Sequence, residues 1–245
     1  MKAMILAAGV GSRLRPLTDS VPKALVEVGG IPMLEIVLAR LIRAGCANVV
    51  INTFHLGERI EDFLKARSYF GIRIELSHET QLLNTGGGLK KVAAFFDDGQ
   101  PFLLHNVDVL TDLNLARMLE SHRRSGALAT VAVQNRRSSR YLLFDAAGSL
   151  CGWESVSEQR QIWASAPVER AERLAFCGIH VISPAIFGRM TEAGAFSINQ
   201  LYLRLAGENE RILAFRADDC YWRDIGQPER LEAVRLEVLR NGLPA

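Results

Sequence analysis

Residues 6–25 read L-A-A-G-V-G-S-R-L-R-P-L-T-D-S-V-P-K-A-L, a glycine-rich segment that directly follows a short apolar run. The apolar run has the length of a buried strand, and Gly9 and Gly11 lack the β-carbon that would keep a ligand away from the backbone. Backbone N–H groups in such a loop can point at a phosphate. Arg13 adds a planar donor fork and Lys23 a compact positive charge, both suited to phosphate oxygens. The segment therefore predicts an anion-binding loop at the end of the first strand.

Two other kinds of phosphate-binding loop are not supported. A dinucleotide fingerprint requires G-x-G-x-x-G, and its third glycine position is occupied here by Leu14, which is too bulky for close packing of a helix on a strand. The G-x-x-x-x-G-K-[ST] motif of P-loop proteins does not occur in the sequence. An oxidoreductase or a P-loop ATPase is therefore a weaker interpretation than a different kind of phosphate chemistry.

Composition narrows the class of protein further. The 245 residues are 49% hydrophobic and 23% charged with a formal net charge of +2, so no general field attracts nucleic acid or an anionic membrane. The four cysteines are scattered without a C-x-x-C pair, which indicates neither a zinc site nor a disulfide framework. No apolar run approaches the roughly 18 residues of a membrane span. We expect a cytoplasmic protein with no nucleic acid or membrane partner, and the sequence leaves its oligomeric state open.

Apolar periodicity predicts alternating strands and helices. Strands are predicted at residues 3–8, 48–53, 71–77, 101–109, 127–134, 141–145, 150–153, 174–182 and 211–216, and helices at 32–45, 57–66, 111–125, 196–205 and 227–240, with a short helix ending near 96. This order implies parallel βαβ units, so we expect an α/β fold with a Rossmann-like, mostly parallel sheet flanked by helices. A small antiparallel extension is predicted after residue 140. The polar stretch 155–170 is expected to be irregular and mobile.

Two further segments contain residues suited to phosphate chemistry. Residues 79–89 read E-T-Q-L-L-N-T-G-G-G-L, and three consecutive glycines entering a helix favour either a close approach to a ligand or a flexible turn. Asp108 follows a buried strand, where it is either a turn or helix-cap residue or a hard ligand for Mg²⁺. His105 is expected to be a strand residue without a catalytic role. The residues alone leave these alternatives open.

The motifs together resemble those of the NTP:sugar-1-phosphate nucleotidyltransferases, also called NDP-sugar pyrophosphorylases. The family pattern L-A-A-G-x-G-[ST]-R-[LM]-x-P-L-T, followed by P-K-[PA]-[LM], is complete in residues 6–25. The T-G-G-G segment is similar to the form found in N-acetylmuramate-1-phosphate uridylyltransferases and some mannose-1-phosphate guanylyltransferase-like proteins. Residues 221–230, Y-W-R-D-I-G-Q-P-E-R, resemble the family's W-x-D-[IV]-G-[TQ] segment. The resemblance covers essentially the whole chain and implies the nucleotide-diphospho-sugar transferase fold.

The resemblance also implies roles for individual residues. Arg13 and Lys23 are the implied catalytic residues, and Asp108 and Asp224 the implied ligands of Mg²⁺. The implied nucleotide-binding residues are Ala8, Gly9, Gly11, Ser12, Glu79, Thr85, Gly86 and Gly87. The implied acceptor-binding residues are Asn106 and Gly178. Arg140 belongs to no family motif; it ends the basic run N-R-R-S-S-R at residues 135–140 and is either a solvated hairpin residue or a guanidinium for an anionic acceptor. The chain departs from the family at Val107, where glycine is usual, and it lacks the E-K-P triplet, for which Glu154 is only a weak substitute.

The implied activity transfers a nucleoside monophosphate from an NTP to a sugar 1-phosphate within a single domain, residues 1–245. Residues 1–126 are expected to bind mainly the nucleotide, and residues 127–245 mainly the acceptor. Uridylyl transfer to an amino sugar phosphate and guanylyl transfer to mannose or heptose 1-phosphate are both compatible with the motifs. A phosphocholine-type cytidylyltransferase and a catalytically silent nucleotide-sensing domain are the alternatives.

Overall fold

The computed structural model, which describes residues 1–244, begins with a strand that leads directly into the glycine-rich segment. Up to residue 111 the elements are β1 (Lys2–Leu6), α1 (Leu17–Ser20), β2 (Glu27–Val28), β3 (Ile31–Pro32), α2 (Met33–Arg43), β4 (Asn48–Thr53), α3 (Gly57–Ala66), β5 (Arg73–His78), α4 (Asn84–Lys91), β6 (Phe102–Asn106) and β7 (Val109–Thr111). From residue 115 onward they are α5 (Leu115–Ser125), β8 (Ala129–Gln134), β9 (Arg140–Phe144), β10 (Leu150–Ser155), β11 (Arg160–Trp163), β12 (Glu172–Ile182), α6 (Ile198–Gly207), β13 (Ile212–Arg216), β14 (Trp222–Asp224) and α7 (Pro228–Asn241).

These elements belong to two compact units. The first unit comprises residues 1–82, residues 104–115 and the residues from 220 onward, and the second comprises residues 83–103 and 116–219. Among residues 1–244, no helix is both long enough and apolar enough to cross a membrane.

The first unit is built on a parallel sheet in which β4 pairs with β1 on one side and β5 on the other. Leu6 lies opposite Asn52 at the carboxyl ends of β1 and β4. In α2, Leu34, Leu38 and Leu41 are fully buried because apolar residues recur at helical spacing along one face. The sheet therefore presents the glycine-rich segment at the edge where ligands of α/β proteins bind.

A small antiparallel ribbon of β7 and β14 lies in the same unit. Its register sets Asp224 opposite Val109. An apolar cluster with the buried side chains Leu14, Ile225 and Leu231 joins this ribbon to the glycine-rich segment and to α7. Burial of these side chains holds the end of β14 beside the turn that precedes β7.

The second unit is built around β8, which pairs antiparallel with β12 and parallel with β13. β12 also pairs with β9, and β9, β10 and β11 form antiparallel hairpins. The register of β12 against β8 shifts between Phe176 and His180, and Gly178 lies in this bulge with a φ of 76°. The predicted α/β fold, with its parallel sheet, flanking helices and antiparallel extension, is confirmed.

The expectation of an irregular, mobile stretch at residues 155–170 is wrong for β11. Arg160 lies opposite Ser155, and Ile162 opposite Trp153. β11 ends the path of paired strands and has polar residues at its first two positions, as edge strands commonly do, so it lacks the apolar signal of a buried strand. Its order comes from backbone pairing with β10, which the sequence pattern does not reveal.

Two buried histidines are held by hydrogen bonds to neighbouring oxygen atoms. His105 Nδ1 lies 2.7 Å from the carbonyl oxygen of Asn106. His122 lies between two hydroxyl groups, with Nδ1 2.9 Å from Thr130 Oγ1 and Nε2 3.0 Å from Ser183 Oγ. Burial lowers the pKa of each imidazole from 6.5 to about 4. Both side chains are therefore neutral in the folded protein at pH 7.

We expect these histidines to make the protein less stable in mild acid. The unfolded chain takes up protons near pH 6.5 and the folded chain only near pH 4, so the free energy of unfolding falls as the pH drops through that window. Each histidine should account for a loss of about 2 kcal/mol between pH 7 and pH 5. Urea unfolding of His122→Gln should show a pH-dependent loss smaller by about that amount. His55→Gln, which removes a partly exposed histidine, is the control; equal losses in wild type and His122→Gln would contradict the prediction.

Candidate functional site

Gly9 and Gly11, the two glycines of the loop that follows β1, differ in what the fold requires of them. Gly11 has a φ of 70°, and a β-carbon there would stand 2.8 Å from Thr18 Cγ2, so the loop needs glycine at this position to fold. Thr18 also donates a hydrogen bond of 2.8 Å to the carbonyl oxygen of Gly11. Gly9 has no such constraint, because a β-carbon there would meet nothing within 4 Å. The space beside Gly9 is therefore open to a ligand.

A buried hydrogen-bond relay anchors the start of this loop. The backbone N–H of Ala7 donates to Asn52 Oδ1 at 2.8 Å, and Asn52 Nδ2 donates to Glu79 Oε1 at 2.7 Å. Glu79 is only 1% exposed, and its own N–H donates to the carbonyl oxygen of Thr53 at 2.7 Å. β1 ends at Leu6, and beyond it the Asn52 side chain, not a paired strand, supplies the hydrogen bond to the backbone. This bond fixes the backbone just before Ala8 and the glycines. The predicted contact of Glu79 with a base stays a prediction.

Three predicted site residues of the first unit meet around Gly226. A β-carbon on Gly226 would stand 3.0 Å from Arg13 Nη2, 3.1 Å from Asp224 Oδ1 and 3.6 Å from Asp108 Oδ2. The register of β14 against β7 and a 3.1 Å hydrogen bond from Ile225 N–H to the Asp108 carbonyl oxygen produce this convergence. Any larger residue at position 226 would fill the space that the guanidinium and the two carboxylates share.

Each carboxylate in this cluster is also paired with a basic side chain. Lys23 Nζ contacts Asp108 Oδ2, and Arg230 Nη1 contacts Asp224 Oδ2. The side chains of Asp108 and Asp224 are 20% and 16% exposed, so both are reachable from solvent and still partly shielded from it. Partial shielding strengthens the electrostatic interactions among these groups.

The donor set fits a small hard cation that is completed by substrate oxygens. Within the described part of the chain, no group of three or more His, Cys, Asp or Glu side chains is arranged to hold a metal ion. Two carboxylates facing a space that a β-carbon would fill are nevertheless what Mg²⁺ uses when phosphate oxygens supply its other ligands. Asp108 and Asp224 therefore match the predicted metal ligands in chemistry and in proximity.

The T-G-G-G segment forms the beginning of α4, and contacts within the second unit account for its glycines. The N–H groups of Gly86 and Gly87 both donate to the carbonyl oxygen of Phe196, at 2.9 and 3.3 Å. A β-carbon on Gly86 would lie closer than 3.0 Å to the Phe196 ring, and one on Gly87 equally close to the Gly194 carbonyl oxygen. Thr85 Oγ1 accepts a hydrogen bond of 2.9 Å from the backbone of α6. The predicted nucleotide contacts of these three residues stay predictions, since close packing already explains them.

The predicted acceptor-binding residues lie in different settings. Asn106 ends β6 in the first unit, whereas Gly178 occupies the bulge of β12 in the second, where its positive φ already requires glycine. Arg140 begins β9 and is exposed. The side chain of Val107, the departure from the family pattern, is buried. An acceptor role for the first three residues stays a prediction.

Several residues of the site were not identified from the sequence. Gly226 stands within the D-I-G part of the resembling motif, which could have revealed it. Asn52 had no local signal, because its partners Ala7 and Glu79 are distant in the chain. Arg230 stands in the same quoted segment as its partner Asp224, six residues away, but no part of the family pattern marks it.

The chain is similar to known proteins over nearly its whole length. A family model described as nucleotidyl transferase matches residues 2–241. The mannose-1-phosphate guanylyltransferase catalytic subunit beta of Danio rerio is 32% identical over 232 residues, covering 94% of this chain and 62% of that protein. The mannose-1-phosphate guanyltransferase of Yarrowia lipolytica is also 32% identical over 232 residues, covering 94% of this chain and 61% of that protein. This chain therefore spans less than two thirds of the length of both relatives.

A solved structure shows the same fold. HddC from Yersinia pseudotuberculosis superposes on this chain with a TM-score of 0.78 at 20% identity, covering 96% of this chain and 98% of that one.

Proposed function

This chain belongs to the nucleotidyl transferase family, and from that premise we propose that it transfers a nucleoside monophosphate from an NTP to a sugar 1-phosphate. An oxygen of the acceptor phosphate attacks the α-phosphorus, the bond to the β-phosphate breaks, and pyrophosphate leaves with an NDP-sugar as the other product. Such a transfer needs positioned charge more than a protein nucleophile. The observation that carries the proposal is the convergence of Arg13, Asp108 and Asp224 on Gly226.

Different residues of the loop hold different phosphates of the substrates. The open space beside Gly9 lets a phosphate approach the backbone at Gly9, Gly11 and Ser12, with Ala8 at the start of the loop. Arg13 holds the phosphates that leave, since its fork can bind two oxygens at once. Lys23, next to Asp108, neutralises the negative charge that develops on the reacting phosphate.

Asp108 and Asp224 are the residues that would hold Mg²⁺. When bound, this cation orients the donor and acceptor phosphates and withdraws charge from them as a Lewis acid. The basic partners of the two acids, Lys23 and Arg230, hold both carboxylates in place beside Gly226.

We take GTP and mannose 1-phosphate as the first substrate pair to assay, because both curated relatives are named for mannose-1-phosphate guanylyl transfer. Glu79, Thr85, Gly86 and Gly87 are the proposed contacts to base and ribose, and Asn106, Arg140 and Gly178 those to the acceptor. The division into a nucleotide half, residues 1–126, and an acceptor half, residues 127–245, is part of the same proposal. We also propose that the protein acts in the cytoplasm, on the basis of its scattered cysteines.

Pyrophosphate release tests the proposed function. The purified chain is incubated with each of GTP, UTP, CTP and dTTP, with and without Mg²⁺, against mannose 1-phosphate, glucose 1-phosphate, N-acetylglucosamine 1-phosphate and phosphocholine. We expect release that requires Mg²⁺, an NTP and a sugar 1-phosphate together. If phosphocholine is the only acceptor that supports pyrophosphate release, the acceptor is phosphocholine and not a sugar 1-phosphate. NTP binding without release for any acceptor would favour the sensing domain.

Replacing Gly9 tests whether the loop needs this glycine to bind NTP or to fold. We expect Gly9→Ala to raise the KM for NTP by about tenfold or more while the melting temperature changes little, because the new methyl group occupies only the open space beside the loop. Gly11→Ala is the matched comparison and should lower the melting temperature, since its φ of 70° strains any L-residue. Steady-state kinetics and thermal unfolding of both variants check this. An unchanged KM in Gly9→Ala would remove Gly9 from the nucleotide site.

A further inference from the structure

A cavity of about 290 Å³ lies in the second unit between the β9–β11 hairpins and the beginning of α6. We call it the hairpin pocket, and its main lining residues are Arg140, Trp153, Arg160, Ile162, Asn199 and Leu203. Except for Arg140, none of these residues has a role in the proposed reaction. Their combination of charge, flat ring and apolar wall is that of a ligand site.

Strand register explains why the two arginines face the same space. Arg140 on β9 lies opposite Ser155 on β10, and Ser155 lies opposite Arg160 on β11. Residues directly opposite each other share a face of the sheet, and adjacent strands are about 4.8 Å apart, so the two β-carbons stand roughly 10 Å apart. Two arginine side chains can bridge that gap and converge on one anion. Trp153 and Ile162 form the next row of the same face.

The charge of the pocket is largely uncompensated. Among the described residues, the exposed side chain of Arg160 has no hydrogen-bond or ion-pair partner. Arg140 has one weak partner, Glu158, at 3.7 Å, and both side chains of that pair are well exposed. Two guanidinium groups with a single distant carboxylate favour a bound anion, which Arg can hold through two parallel hydrogen bonds.

The rest of the pocket suits a sugar ring. Trp153 is only partly buried, so part of its ring lines the cavity beside the apolar side chains of Ile162 and Leu203. A flat aromatic surface can pack against the C–H face of a pyranose. Asn199 Oδ1 is buried and accepts no hydrogen bond within the described structure, so a small rotation of this amide would let it accept one from a ligand hydroxyl.

We propose that the hairpin pocket binds a monosaccharide bearing an anionic group, either phosphate or carboxylate. The anion lies between Arg140 and Arg160, the ring lies on Trp153, and a hydroxyl group donates to Asn199. Binding requires neither NTP nor metal. The proposal rests on the proposed function only where the sugar is identified as the acceptor.

Direct binding in EDTA tests the proposal. Isothermal titration of the full chain uses glucose 1-phosphate, glucuronate, glucose and inorganic phosphate as probes. We expect the two anionic sugars to bind at least tenfold more tightly than glucose or phosphate alone. Arg160→Ala should raise the dissociation constant of both by about tenfold, as loss of one charged hydrogen bond does. Arg124→Ala is the matched control, because Arg124 is an exposed arginine of the second unit outside the pocket.

The outcomes separate this proposal from the proposed function. Equal binding by wild type and Arg160→Ala, or glucose binding as tightly as glucuronate, would overturn the pocket even if pyrophosphate release is observed. A raised dissociation constant in Arg160→Ala supports the pocket even if no substrate pair releases pyrophosphate. If Arg160→Ala also raises the KM for sugar 1-phosphate while kcat stays constant, the bound sugar is the acceptor. If that KM stays constant, the sugar is an effector.

Discussion

Replacing Asp108 with alanine is expected to lower kcat for pyrophosphate release by about 10²–10³-fold, the loss seen when a group that stabilises mainly the transition state is removed. The carboxylate faces Arg13 and Asp224 across the space beside Gly226, so its removal leaves the proposed cation with one protein ligand. Arg13→Ala should lose a similar factor, because the leaving phosphates lose their forked donor. Steady-state kinetics at saturating substrate, with Mg²⁺ varied, measure both effects.

Replacing both acids in one double variant gives the most stringent test. If Asp108 and Asp224 hold the same cation, the double variant should be about as slow as either single variant, since groups that act as a unit are not additive. Asp19→Ala is the control, because Asp19 is an exposed acid of the same unit that is paired with Arg15. Near-wild-type turnover in Asp108→Ala, or losses that multiply in the double variant, would contradict a shared metal site.

Gly87→Ala is expected to lower the free energy of unfolding by about 3 kcal/mol, the upper end of the usual cost of overpacking. Its β-carbon would press on the Gly194 carbonyl oxygen, and backbone cannot move aside as the end of a flexible side chain can. The better helix propensity of alanine, worth about 1 kcal/mol, offsets only part of this cost. Urea unfolding gives the free-energy difference directly.

Gly188→Ala provides the matched control for this prediction. Gly188 lies in the short 3-10 helix Pro184–Arg189 of the same unit, has no positive φ, and has nothing within 4 Å of its ideal β-carbon. This substitution should be neutral or should stabilise by less than about 1 kcal/mol, through the unfolded chain. A Gly87→Ala variant as stable as Gly188→Ala, but with a raised KM for NTP, would show that the glycine serves the nucleotide and not the packing.

The fold was predicted well wherever local pattern and burial agree. The β-branched run of β4 indicates a buried strand, and the amphipathic face of α2 indicates a helix that covers the sheet. The observed bounds of both elements lie within one or two residues of the predicted ones. β11 was not predicted, because an edge strand with polar residues is ordered by backbone hydrogen bonds to the neighbouring strand, here β10. The predicted strand at residues 101–109 is interrupted by a turn at residues 107–108, a break that depends on β7 pairing with β14 and not on local propensity.

The chemistry of the site was predictable by residue type but not by arrangement. Arg13, Lys23 and the two aspartates are recognisable in their motifs, whereas Asn52 became important only through its hydrogen bonds to Ala7 and Glu79. The hairpin pocket was missed for the same reason. Arg160 and Trp153 have no meaningful spacing in the sequence and meet only through strand register.

By itself, the sequence determined the α/β class, the glycine-rich loop after the first strand and the kinds of side chain available for phosphate chemistry, because these depend on patterns spanning a few residues. Only the tertiary structure decided that Asp108 and Asp224 face one space with Arg13, and that Gly86 and Gly87 are required by packing against Phe196 and Gly194. It also decided that two arginines, on β9 and β11, line one pocket. These are contacts between residues distant in the chain. They are selected by strand register and by burial of apolar side chains, which no local stretch of sequence specifies.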